Sequence, residues 1–135
     1  MWNETESQVV HVKKILLHNG VSGAALAGKF RSAAREDVRL AAALMGYFED
    51  AEATDGEKEQ YFAYLSRRIR PAVAVLIEEN RVPEMEMLEK AGLFTPEMVD
   101  EFLETAIGMH RSEAIVWLLR RKDAVYGYRD HDFRL

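Results

Sequence analysis

The chain has 135 residues, 48% of them hydrophobic and 30% charged, with no cysteine and a formal net charge of −5 at pH 7. Apolar content at that length suffices for one self-sufficient core over 1–135, which excludes a disordered chain and any need for covalent staples. The negative balance disfavours nucleic acid as a partner, and the missing thiols exclude disulfides, thiolate metal sites and cysteine nucleophiles. The start, Met1-Trp2-Asn3-Glu4, has neither the basic nor the apolar run of a signal peptide, and no segment is as long as an apolar membrane span. The expectation is a cytoplasmic protein that makes no use of a membrane.

In chain order, Val9, Val12, Ile15 and Leu16 recur at helical steps over 7–19, and Gly20 stands where a left-handed cap ends a helix. Residues 22–30 are small and apolar but carry Gly23 and Gly28, so they predict a short, tightly packed helix. Over 35–53, Val38, Leu40, Ala41, Leu44, Met45 and Phe48 form a broad apolar stripe that runs out into a solvated acidic turn around Gly56. Tyr61, Phe62, Leu65 and Ile69 restore the helical period until Pro71, where the missing N–H predicts a break and the first turn of the next helix.

Helices then follow over 71–80 and 83–90, and Thr95-Pro96 reads as an N-cap and first residue of a helix reaching Met109. Ser112 is expected to cap a last helix ending near Val125. No segment alternates apolar and polar residues long enough for a strand, so the fold class is all-α with about six to seven helices. The chain divides by pattern into N-terminal helices over 1–56, helical hairpins over 57–125 and a tail over 126–135. The tail holds Tyr126, Tyr128, Phe133 and Leu135, too much apolar surface for pure solvation; it is expected to fold back on the last helix or dock on a partner.

Shifting the chain against itself by roughly 30 residues, a period typical of helical repeats, sets Ile77 over Ile107, Arg81 over Arg111, Met85 over Ile115, Leu88 over Leu118 and Lys90 over Arg120. The second copy resembles an ankyrin repeat: Thr95-Pro96 opens it as that family's Thr-Pro-Leu-His does, and Ile115-Val116-Trp117-Leu118-Leu119 matches its Ile-Val-x-Leu-Leu. The likeness covers about 71–122. Glu97 and Met98 replace the family's Leu and His, the first helix is longer, and the β-finger shrinks to Gly92-Leu93-Phe94. The chain is thus similar to divergent, finger-less ankyrin-like proteins of bacteria. That resemblance implies stacked antiparallel hairpins, in an α-solenoid or an irregular bundle, and a role in protein binding.

Chemistry-bearing motifs are sparse. Gly23, Gly28 and Lys29 have phosphate-loop spacing, but Phe30 stands where Ser or Thr must hold Mg²⁺, and a helix precedes where a strand is needed. Close helix packing is the better reading, with a nucleotide- or phosphate-binding helical domain, helped by Arg31 and Arg35, as the alternative. The histidines at 11, 18, 110 and 131 form no helical metal motif, and Asp130-His131-Asp132 makes no preformed cage. Arg67-Arg68 with Arg70 and Arg120-Arg121-Lys122 suit helix C-termini, and Glu84, Glu86 and Glu89 suit a solvated face. With no paired acid and base, the expectation is a non-enzyme without cofactor or metal. Its role is then protein binding: Glu78, Glu79, Asp100, Glu101 and Glu104 offer an acidic face for a basic partner, and Tyr61 and Tyr64 crowd a helix so that one of them or Phe62 must be exposed.

Overall fold

The structure is a computed structural model and describes residues 6–126. Among these residues there are eight α-helices, a closing π-type turn and no strand, against the six to seven helices that the periodicity predicted. They are α1 Gln8–His18, α2 Gly23–Ser32, α3 Glu36–Phe48, α4 Asp55–Arg67, α5 Ile69–Glu78, α6 Val82–Lys90, α7 Pro96–Met109 and α8 Ser112–Arg121, with the π turn over Lys122–Tyr126. No helix among the described residues is long and apolar enough to cross a membrane. The expected fold-back of the tail falls on residues 127–135 and lies outside the described residues. The helices sort into two compact units, Met1–Val75 and Leu76–Leu135, with the division inside α5.

In the first unit α3 is the central helix, with α1, α2 and α4 packed on it. Its stripe is wider than one face: Leu40, Ala41, Ala42, Ala43, Leu44, Met45 and Gly46 are all buried. The small alanines let neighbouring helices come close on several sides. Ser7 caps α1 by accepting the Val10 N–H at 3.3 Å, and Gly20, at φ +67°, closes it in the left-handed conformation that its spacing predicts. Lys13, only 6% exposed, reaches from α1 to the Glu49 carboxylate at the end of α3, 3.3 Å away.

The crowded aromatics resolve differently from the sequence expectation. Tyr61 and Tyr64 are both buried, at 1% and 5% exposure, and Phe62 is half-buried. Phe30 of α2 meets the two tyrosine rings edge-on, at 5.0 Å and 5.4 Å between centroids. Tyr64 keeps its polar end satisfied by donating to Glu36 Oε1 at 2.9 Å. Burial, then this hydrogen bond and the charge of Glu36, push the Tyr64 phenol up to about 12; burial likewise raises Tyr61. The unfolded phenol titrates near 10. The stabilisation is therefore whole below pH 10 and is lost as the pH climbs towards 12, at about 1.4 kcal/mol per pH unit for a single group. Urea midpoints should fall between pH 9.5 and 11.5, and Tyr64→Phe should flatten that slope.

The break expected at Pro71 comes earlier. Arg68 ends α4, its N–H donating to the carbonyls of Tyr64 and Leu65, and α5 is already under way at Ile69. Pro71 occupies the first turn of α5, where its missing N–H costs nothing because the carbonyl four residues before it, that of Arg67, belongs to α4 and not to α5.

The second unit contains α6, α7 and α8 and the end of α5. Thr95 caps α7 as expected, accepting the Met98 N–H at 3.2 Å, and the helix runs to Met109. At α8 the N-cap is Arg111, with Ser112 as the first helical residue instead of the cap. Asn80 and His110 both take left-handed conformations, at φ +53° and +59°. Both ends close alike: Arg81 N–H donates to Leu76 and Arg111 N–H to Ala106, while Asn80 and His110 donate to Ile77 and Ile107. Gly92 ends α6 in the same way at φ +86°. The same turn geometry thus closes three of the helices of this unit, α5, α6 and α7.

Candidate functional site

Residues 23–29 are not a free loop. Gly23 opens α2 at φ +56°, and its N–H donates to Asp50 Oδ2 at 2.8 Å; Asp50 Oδ1 accepts from Glu52 N–H at 3.0 Å. Asp50, expected in a solvated turn, is only 8% exposed. The Glu52 carboxylate also lies against Gly23, so close that a Cβ there would meet it at 2.6 Å. A phosphate at this helix start would find its amide occupied and two carboxylates beside it. Gly28 has open space where a side chain would go, so it is not a position of close packing, and Lys29 is exposed. The close approach is at Gly46, where a Cβ would run into the Tyr61 ring.

Several of the other charged candidates pair within the fold. Arg68 pairs with Glu36 at 3.2 Å and lies over the Tyr64 ring, and Arg121 pairs with Glu89 at 3.0 Å and lies over Trp117. Lys122 reaches Asp100 at 3.0 Å. Glu89 is buried at 9% exposure, not on a solvated face, while Glu84 and Glu86 pair with Arg81 and Lys90. His11, His18 and His110 are exposed, and among the described residues no group of three His, Asp or Glu converges.

Of the expected partner-binding residues, Tyr61 and Tyr64 belong to the core of the first unit and are withdrawn from any surface. Asp100, Glu101 and Glu104 are exposed on α7, joined by Glu97 one turn earlier; Glu78 and Glu79 are half-exposed at the end of α5. Positions 97, 100, 101 and 104 share one helix face, which makes an acidic stripe of α7.

The apolar surface was less legible. Three polar links join the two helix-turn-helix segments of the second unit: Arg111 donates to the Glu78 carbonyl at 2.7 Å, Ala114 N–H to Asn80 Oδ1 at 3.2 Å, and Arg121 to Glu89. Ile77 and Met85 are fully buried in the first segment. The corresponding Ile107 is 52% exposed and Ile115 half-exposed, and Leu119, matching the buried Glu89, is 45% exposed. A separate open groove of about 550 Å³ runs between α6 and α8, with Val82, Pro83, Val116 and Trp117 as its apolar wall. Sequence reasoning missed these residues because an apolar repeat position looks the same whether or not a neighbour covers it. No family model matches this chain, and no curated protein or solved structure matches it either.

Proposed function

We propose that α5 to α8 are two ankyrin-like helical repeats and that the protein is an interaction module, holding a basic protein partner on α7 and the uncovered side of the second repeat. The observation that carries this reading is the inequality between copies: Ile77 is fully buried while Ile107, its counterpart, is 52% exposed. Repeats of this kind shield one another's apolar sides, so the last copy keeps a face built for a neighbour. Exposed large apolar side chains in a cluster mark interaction surfaces. The acidic stripe of Glu97, Asp100, Glu101 and Glu104 gives the partner its sign and makes binding sensitive to salt.

The test is affinity capture with the purified chain at low salt, against two variants: Ile107→Asp and the triple substitution Glu97→Lys, Glu101→Lys, Glu104→Lys. All four positions are exposed, so both variants should fold. The wild type should retain a stoichiometric partner that both variants lose and that salt near 0.5 M elutes. Equal capture by wild type and Ile107→Asp would remove the support for this reading.

A further inference from the structure

The groove between α6 and α8 has a symmetry in its sequence that the repeat does not require. Along the solvent stripe of α8 stand Glu113, Val116, Trp117 and Arg120, all lining the groove. Seven residues turn a helix almost two full turns, so Glu113 and Arg120 lie on one line, about 10 Å apart along the axis. The order is acid, two apolar residues, base, and the spacing reads the same from either end. Both charged residues are exposed, and neither enters an ion pair or a side-chain hydrogen bond among the described residues. Val116 between them is 47% exposed. Trp117 is half-exposed, with its ring steadied by the Arg121 guanidinium 5.7 Å from its centroid.

We propose that this groove is the seat of a second copy of the chain, with α8 lying antiparallel to its counterpart about a two-fold axis between Val116 and Trp117. An antiparallel copy reverses the order of charges. Each Glu113 then faces the partner's Arg120, and each Arg120 faces the partner's Glu113. A parallel copy would set like charge on like charge. The apolar pair in the middle meets itself, and Val82 and Pro83 of α6 widen the contact on either side. Self-complementary patches of this type are what two-fold dimers use. The charge pairs fix orientation and register, while burial of Val116 and Trp117 supplies the attraction. This face is separate from the α7 stripe, so the inference goes beyond the partner-binding reading and does not depend on it.

Sedimentation of the purified full chain between about 1 and 300 μM decides it, the range in which an interface of modest size associates. The wild type is expected to pass from monomer to dimer. The variants E113R and R120E each create two repulsive pairs in a homodimer and should each associate at least tenfold more weakly, with unchanged circular dichroism. An equimolar mixture of the two single variants should dimerise again, because every introduced charge then meets its opposite. The double variant E113R/R120E should likewise dimerise alone. A wild type that stays monomeric throughout, single variants that dimerise like the wild type, or a mixture that stays monomeric would each overturn the proposal. None of these results involves a foreign partner, so they leave the capture experiment independent.

Discussion

Gly46→Val should be the most damaging single substitution in the first unit, lowering stability by about 3 kcal/mol or more. Gly46 lies in the buried stretch of α3, and the Tyr61 ring lies against it so closely that even one added carbon collides. The ring has little freedom to retreat: it is 1% exposed and is met edge-on by Phe30. A residue other than glycine would ordinarily favour a helix interior by up to about 1 kcal/mol. Here the steric cost exceeds that gain, because a well-packed core admits an extra group only by displacing side chains and backbone. Thermal unfolding followed by circular dichroism should show a loss on the order of 10 °C. Tyr61→Leu in the same chain should recover part of it, since the obstacle is the ring itself. If Gly46→Val melted with the wild type, the close contact between α3 and α4 would be wrong.

Asp50→Ala should cost about 2 to 3 kcal/mol by leaving the Gly23 N–H buried without an acceptor. The cap residue does not replace it: Ser22 is the N-cap, but its hydroxyl donates to Glu52 instead of accepting from the helix. A buried donor that loses its partner bears its full desolvation cost, which is larger than the average worth of a hydrogen bond. The bond to Glu52 N–H, which shapes the turn after α3, goes at the same time. Asp50→Asn keeps one acceptor and presents an amide where the other stood, so its loss should be intermediate. Amide hydrogen exchange gives the local readout: protection at Gly23 should fall in Asp50→Ala more than protection at Leu44 in mid-α3. Uniform loss at both positions would mean that Asp50 does not act through α2.

Much of the local architecture was legible in the residues. Gly20, Thr95 and Pro96 act as their side chains and dihedral preferences dictate, because caps and turns depend on neighbours a few residues away. The closing turns at Asn80 and His110 are likewise short-range objects, set by bonds to carbonyls three and five residues back. Pro71 misled by two residues because a proline is tolerated anywhere in a first turn, so it marks a helix start without marking its first residue.

What failed in the reading was long-range. Helical angles predicted that Tyr61, Tyr64 or Phe62 must be exposed, but Phe30 of α2 meets both tyrosine rings and Gly46 of α3 lies against Tyr61, which leaves both tyrosines buried and Phe62 half-buried. The phosphate-like spacing of Gly23, Gly28 and Lys29 said nothing of Asp50, 27 residues away and holding the Gly23 amide. Gly46, in the middle of an alanine-rich helix, carried no sign that a tyrosine ring would rest on it.

By itself the sequence determined that this chain is helical and where most helices begin and end, all from interactions spanning a few residues. Which tyrosines are buried, which glycine cannot be replaced, and which of two matching isoleucines faces water were decided by tertiary structure. Those outcomes depend on which surfaces meet, and identical apolar residues carry no mark of whether a neighbour will cover them.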